Sequence, residues 1–398
     1  MQAQKTFAQV ESRYFYLLVM LGGLAALAGM GAAYYMEEHG HVVTGMNNQI
    51  VWGIPHVFAI FMIVAASGVL NVASIGSVFG KAAYKGRAPL AGMLSIALLA
   101  GGLTVLMLDL GRPDRIIVAA TNINPTSVFA WNIFLYSGLF TFVALYMWTL
   151  LERRMNPWIK PAGLLVFSWR IILTTGTGLI FAFLVARQAY DSAILPPMFL
   201  VMSFGWGLAV FLVVQSVMYA WNDITPDAAI MNRMKKLLSI FVLGSLYLVA
   251  VYHLTNLYFA KQTAFEHFIL RDGGIYTWLF WLGYVVLGSA LPLLLIFHPS
   301  FNKTCHVVAA SILVILGSFS FLYVFIIGGQ AFPLDIFPGY QVISSSFGDG
   351  QIGHYTPSLP EFLLGFGGIA IAFLITTIGV RVINSLLPYD ESHFRQRN

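Results

Sequence analysis

Apolar stretches of about 20 residues or more recur ten times along the chain, at roughly 14-36, 51-80, 89-110, 127-151, 162-186, 197-221, 237-259, 276-298, 304-328 and 361-383. That repetition decides what the chain can fold into. About 20 apolar residues is what a helix needs to cross the hydrocarbon core of a bilayer, and in that medium every backbone N–H and C=O has to be paired within its own segment or around a closed barrel. The runs are too long for barrel strands and lack the alternation that such strands show. An all-α integral membrane protein with about ten transmembrane helices is therefore predicted. Charged residues are only 9% of the 398, against about a quarter in soluble chains. The first run follows Lys5, Glu11 and Arg13 and is longer than the apolar part of a secretory leader, so it reads as a retained span.

The 21 Lys and Arg residues set an orientation. Fifteen fall in the N-terminal tail, the connections after the second, fourth, sixth and eighth runs, and the C-terminal end; five, Arg112, Arg115, Arg187, Lys261 and Arg271, fall on the other side. Basic connections stay inside. Both termini are expected to be cytoplasmic, in the cytoplasmic (inner) membrane of a prokaryote. The outer connection 329-360 is long and rich in Gly and Pro, as functional loops of that length often are, and is expected to be a docking surface.

Against so apolar a background the heptad Asp109-Leu110-Gly111-Arg112-Pro113-Asp114-Arg115 stands out, with four charges beside the end of the third run. Pro113 biases Arg112 away from helix and Gly111 tolerates the left-handed conformation that often follows a helix end. The segment is either an interfacial turn with solvated charges or an ion, proton or ligand site at membrane depth. Asp109, still on the helix, is the strongest candidate. His56 lies about five residues inside the second run, beside Pro55. At 100° per residue, Ser67, Asn71 and Ser74 fall within about 60° of it, a polar seam running inward. The fifth run repeats the pattern, with Thr174, Thr177 and Gln188 within about 40° of Arg170. Hydroxyls in spans commonly bond their own backbone or a neighbouring helix. An intramembrane arginine is harder to dismiss. His253, in the outer third of the seventh run, has the depth of His56.

The single cysteine, Cys305, excludes an internal disulfide and an iron–sulfur cluster held by this chain alone. Haem is not expected, because axial ligation in a di-haem span protein takes four facing histidines and only His56 and His253 lie well within runs. The net charge of +5 is spread over many connections, which does not suggest nucleic acid.

Trp52-Gly53-Ile54-Pro55-His56, then Asp109-Leu110-Gly111-Arg112-Pro113, then Asn124-Pro125-Thr126-Ser127-Val128-Phe129-Ala130-Trp131-Asn132 resembles, in that order and spacing, the NrfD/polysulfide reductase membrane-subunit family. Within it, the length and ten runs are most similar to the membrane subunit of the sulfite-reduction-associated Dsr complex. The resemblance implies a core of two four-helix bundles, helices 2-5 and 6-9, flanked by helices 1 and 10. The units would be 1-50 (tail, first helix and outer loop), 51-190 (first bundle), 191-328 (second bundle) and 329-398 (outer loop, tenth helix and tail). It implies a subunit that exchanges electrons between menaquinone or ubiquinone and a ferredoxin-like iron–sulfur subunit on the outer face, beside other membrane, cytochrome or iron–sulfur subunits, in sulfur metabolism. Its quinone pocket would draw on His56, Asp109 and their neighbours Arg112, Asp114, Trp131 and Asn132, with His56 and Asp109 as the acid/base groups, and His253 joins them for its matching depth. Apart from the resemblance, if the seams of the second and fifth runs face each other, Ser67, Asn71, Ser74, Arg170, Thr174 and Thr177 would form a path for protons from the cytoplasmic side.

The alternative is a secondary transporter or proton-conducting channel. Trp52-Gly53 and Trp206-Gly207 hint at related halves, but transporter sites lie near the bilayer midplane and the ionisable residues here gather toward one end. The charge bias makes one expectation directly testable: an alkaline phosphatase fused after Asn398 stays inactive while a cytoplasmic reporter at the same position is active, and the reverse pattern would overturn the orientation.

Overall fold

The computed structural model describes residues 12–221, 225–301, 303–334 and 350–383. Residues 335–349 of the expected docking connection, and most of both termini, lie outside the described residues. Among the described residues there is no strand, and ten helices are long and apolar enough to cross a membrane: α1 (Tyr14–His39), α2 (Ile54–Ser77), α3 (Ala88–Leu108), α4 (Val128–Leu151), α5 (Arg153–Ala182), α6 (Leu195–Trp221), α7 (Ala228–Tyr258), α8 (Ile275–Phe297), α9 (Thr304–Ala331) and α10 (Leu359–Val382). The chain is an all-α, multi-pass membrane protein.

Local chemistry explains where the helices begin. Prolines occupy the first turns of α2, α3 and α10, where the missing N–H has no intrahelical acceptor to lose. Asp227 caps α7 by accepting from the Ala229 and Ile230 N–H groups, so that helix starts well before the apolar run at 237 and carries Arg233, Lys235 and Lys236 on its first turns. α5 ends at Ala182, which places Arg187 and Gln188 in the following connection; the seam expected along the fifth run does not reach Gln188.

Two rings of helices emerge from the packing. α2 packs on α3, α3 on α4, α4 on α5 and α5 back on α2; α6, α7, α8 and α9 close a second ring in the same way. The rings meet mainly through α2 against α6, with α5 against α6 beside it, while α1 lies along α10, which rests on α3 and α2. α2 is the central element: its most apolar stretch is 89% buried, against 22% for that of α1. α8 contains twelve residues, Leu279–Ala290, wound as π-helix, and α9 six more, Tyr323–Gly328, a wide winding that is often found near functional sites.

Where α2 crosses α6, Gly68 and Gly207 face each other backbone to backbone, and a Cβ at Gly68 would run into the Ser203 carbonyl. Apolar surface gives helices no special preference for one another in lipid, so close approach of small residues carries the association. Gly68→Val should therefore force α2 and α6 apart. Overpacking of this kind typically costs about 1–3 kcal/mol, so thermal unfolding in detergent should start several degrees lower; an unchanged unfolding temperature would show that the crossing is not tight.

Candidate functional site

Because α2 and α3 are antiparallel neighbours, the start of one lies beside the end of the other. His56 is in the first turn of α2, since the helix starts only at Ile54, one turn nearer the end than the apolar run suggested. Asp109 is the residue that caps α3. His56 Nδ1 lies 2.7 Å from Asp109 Oδ2, with the two side chains 15% and 1% exposed. The contact is short but out of line for a hydrogen bond, and both carboxylate oxygens of Asp109 are buried without an aligned partner. With Nδ1 turned to the carboxylate, Nε2 is the imidazole nitrogen left for a ligand. The Trp52 indole stacks on the imidazole at 5.8 Å between centroids and is itself wedged against Phe129 and Phe181.

The rest of the charged heptad turns away. Gly111 adopts φ +67°, the left-handed conformation expected of it, and Arg112 then reaches Asp114 with two hydrogen bonds of 3.1 Å. Both side chains are more than half exposed. The hydrogen bond from Arg112 holds the Asp114 carboxyl below its ordinary range. Asp109 alone of these groups faces inward. Trp131, half exposed, donates its indole N–H to the Pro125 carbonyl at 2.7 Å; the indole beside the imidazole belongs to Trp52 instead. Asn132 is buried, donates to the Val128 carbonyl and has its Oδ1 unpaired.

His253 belongs to a separate constellation, which corrects its grouping with His56. It lies on α7 in the second ring, where Nδ1 stands 2.6 Å from Glu266 Oε2 and Asn256 donates to Glu266 Oε1 at 2.9 Å. Glu266, fully buried on the short helix Thr263–His267, is thus satisfied at both oxygens. Each ring has a histidine–carboxylate pair, but only the first leaves the carboxylate short of partners.

Sequence reasoning missed the groups that hold α2 in place. Gln330 Oε1 accepts from the Val51 and Trp52 N–H groups, each at 3.0 Å, and its Nε2 donates to the Trp52 and Ile326 carbonyls. Arg187 donates to the Gln330 and Gln49 carbonyls at 2.8 and 2.7 Å. On the other side, the Ile54 N–H donates to the Tyr355 hydroxyl at 2.7 Å, and that hydroxyl donates to Glu361 Oε1 at 2.6 Å. Burial, reinforced by the Glu361 carboxylate, pushes the Tyr355 phenol above its ordinary range, keeping it a donor. Glu361 Oε2 takes the Gly45 and Ser358 N–H groups. Ser358-Leu-Pro-Glu361 has the spacing of a capping box, so its role in α10 was readable; nothing local marks Gln330 or Tyr355.

The polar seams of α2 and α5 do meet. Thr174 donates to Ser67 Oγ at 2.6 Å, Ser67 donates to the Arg170 carbonyl at 3.2 Å, and Thr177 bonds the Leu173 carbonyl. Ser67, Thr174 and Thr177 are completely buried. The half farther from His56 opens, where Asn71, Ser74 and Arg170 line a cleft of about 310 Å³.

A family profile described as polysulphide reductase, NrfD, matches residues 42–334. The chain is 30% identical to the Hdr-like menaquinol oxidoreductase integral membrane subunit of Archaeoglobus fulgidus over 390 residues, 96% of each protein. It is 29% identical, over 91% of this chain and 90% of the other, to a Halobacterium salinarum protein provisionally named as a dimethyl sulfoxide reductase membrane subunit. A selenate reductase subunit of Mesobacillus selenatarsenatis is 22% identical over 96% of both.

Gln330→Leu tests the hold on α2. It strands the part-buried Val51 and Trp52 N–H groups, at a cost below the about 1–3 kcal/mol of a fully buried unsatisfied donor. Hydrogen exchange at those two amides should accelerate at least tenfold while that at mid-α2 stays as it was; unchanged exchange would mean that Gln330 does not fix the start of the helix.

Proposed function

Because the chain belongs to the polysulphide reductase NrfD family, we propose that it is the quinone-reactive membrane subunit of a multisubunit oxidoreductase. It exchanges electrons between the membrane quinone pool and a ferredoxin-like iron–sulfur subunit that docks at the His56 end. The names of the relatives support the coarse reading, a membrane subunit of a redox complex, and one of them names menaquinol. Menaquinone or ubiquinone as the exchangeable partner, a place in sulfur (sulfite/sulfide) metabolism, and further cytochrome or iron–sulfur subunits are the finer parts of the proposal.

One observation carries it: a carboxylate 1% exposed, 2.7 Å from a histidine and with neither oxygen in an aligned hydrogen bond. Burying a polar group unpaired is expensive and a charge more so, so such a group in a fold marks a place where something else binds or a proton is held. The residues fit an aromatic head-group with two ring oxygens. A quinol brings two electrons and two protons to such a site. His56 Nε2 hydrogen-bonds one ring oxygen and takes or returns its proton; Asp109, facing Nδ1, orients the imidazole and stabilises its charged form. Trp52 walls the imidazole on its stacked face. Arg112 and Asp114 mark the rim, and Asn132 offers an unpaired amide oxygen on α4.

The bias of basic residues toward the opposite connections supports an outer-face position for this end and cytoplasmic termini. Proton exchange is assigned to the same face, because Ser67, Thr174 and Thr177 are completely buried and their hydroxyl bonds end on the Arg170 and Leu173 carbonyls, which have no proton to hand on. The continuous path expected from the spacing of these residues is therefore not part of the proposal.

In the assembled complex, His56→Ala and Asp109→Asn should each lower quinol-linked turnover at least tenfold, about 1.4 kcal/mol of transition-state stabilisation, with the amounts of the other subunits unchanged. His56→Gln, which keeps an amide to hydrogen-bond but no titratable group, should bind a quinone-site inhibitor better than the alanine variant and turn over no faster. Normal turnover in both His56→Ala and Asp109→Asn would remove the reading.

A further inference from the structure

The cleft at Arg170 has no part in that reaction. It lies between α2, α5, α6 and α7 and has a volume of about 310 Å³. Phe167, Phe204, Leu208, Leu237 and Phe241 make it mostly apolar. Set into this lining is a guanidinium only 1% exposed. Among the described residues no Asp or Glu lies within ion-pair distance of it. Its one hydrogen bond is a long one, 3.4 Å from a terminal nitrogen to the Ser67 carbonyl, and its Nε has no partner. The Phe167 and Phe204 rings lie 4.9 and 5.5 Å from its central carbon, contacts that contribute far less than the desolvation of a buried cation costs.

A second orphan points to the same space. Asn71, on α2, also lines the cleft, and its amide nitrogen is buried without an acceptor. Two unpaired donors, one of them charged, thus border a single cavity in which no carboxylate answers them. The missing partner is an acceptor, and charge favours an anion over a neutral carbonyl.

Depth narrows the choice. Asn71 is six residues from Ser77, where α2 ends, about 9 Å along the helix axis. Side chains on a helix tilt toward its N-terminus, so Arg170 on α5, antiparallel to α2, reaches toward that same end. There the cleft is bounded by Tyr84 from the α2–α3 connection, and Arg87 and Arg233 stand close enough to that phenol to oppose the upward push of burial on it. Phe79, exposed, and Phe167, half-buried, pack edge to face at the open side. The volume amounts to roughly ten water molecules at about 30 Å³ each. It accommodates a head-group and not a whole phospholipid. Basic pockets between spans near the cytoplasmic leaflet are a recurring seat for acidic lipid head-groups.

We propose that the Arg170 cleft binds the phosphate head-group of an anionic phospholipid, with Arg170 and Asn71 as its donors and the acyl chains leaving past Phe79 and Phe167 into the bilayer. The phosphate supplies the counter-ion that the fold withholds from Arg170. The lipid then fills the joint between the two helix rings, since α2 and α5 belong to one and α6 and α7 to the other.

The test uses the full chain in detergent. Native mass spectrometry should find one phospholipid retained per chain, and titration of delipidated protein should show phosphatidylglycerol binding at least tenfold more tightly than phosphatidylcholine and raising the unfolding temperature. Arg170→Met should weaken phosphatidylglycerol binding at least tenfold, Arg170→Lys less, and Arg381→Met, near the same end of α10, not at all. Should Arg170→Met fail to fold, Asn71→Leu gives a milder version of the same loss. Inorganic phosphate alone should not reproduce the stabilisation. Equal binding of the two lipids, an equal effect of inorganic phosphate, or a wild-type chain that retains no phospholipid and gains nothing from phosphatidylglycerol would each overturn the proposal.

Discussion

Inside a bilayer no solvent is available to answer a buried donor or acceptor, and most of this chain is arranged around that fact. The backbone answers it by forming ten spanning helices, and most hydroxyls in the spans by bonding a carbonyl about one turn back, as Thr104, Ser137 and Ser311 do. Buried carboxylates answer it in two ways. Glu266 and Glu361 are saturated by neighbours and read as structural. Asp109 is not, and the same holds for the cation Arg170. The contrast between satisfied and unsatisfied ionisable groups, more than their number, separates scaffold from site.

The site is held by its surroundings more than by its own helix. A first turn has N–H groups that no intrahelical carbonyl can reach. At α2 the Ile54 N–H is taken up by Tyr355 from the segment before α10, Gln330 from α9 takes the Val51 and Trp52 N–H groups just ahead of the helix, and Arg187 from the α5–α6 connection fastens Gln330 and Gln49 together. His56 therefore sits on a helix end fixed by three separated parts of the chain. Such anchoring suits a group that must meet a ligand at a set distance.

Fold class and the count of spans were legible because apolar length is a one-dimensional signal that tertiary structure scarcely alters. The pairing of His56 with Asp109 was nearly legible: both lie at the same end of neighbouring antiparallel helices, and a polar residue at a helix terminus in a chain this apolar is conspicuous. Trp131 was placed in the pocket by its position in the motif and His253 by its depth, and neither says anything about azimuth; Trp131 turned outward and His253 joined a different ring. Gln330 and Tyr355 gave no signal, since an amide and a phenol near span ends are ordinary. Their importance comes from contacts about 280 and 300 positions apart in sequence, which no local pattern encodes. The helix ends at Ala182 and Asp227 were missed for a different reason, because apolar runs do not stop where hydrogen bonding does.

The family match ends at residue 334, yet Tyr355 and Glu361 lie beyond it and reach back to the residue two before His56. The last span is thus not an ornament on an independent core. A shortened chain that kept every matched position would still leave the Ile54 amide without its acceptor, and would loosen the very turn that carries the imidazole. The smallest portable unit of this site is larger than the stretch that the family profile matches, and its border is drawn by hydrogen bonds.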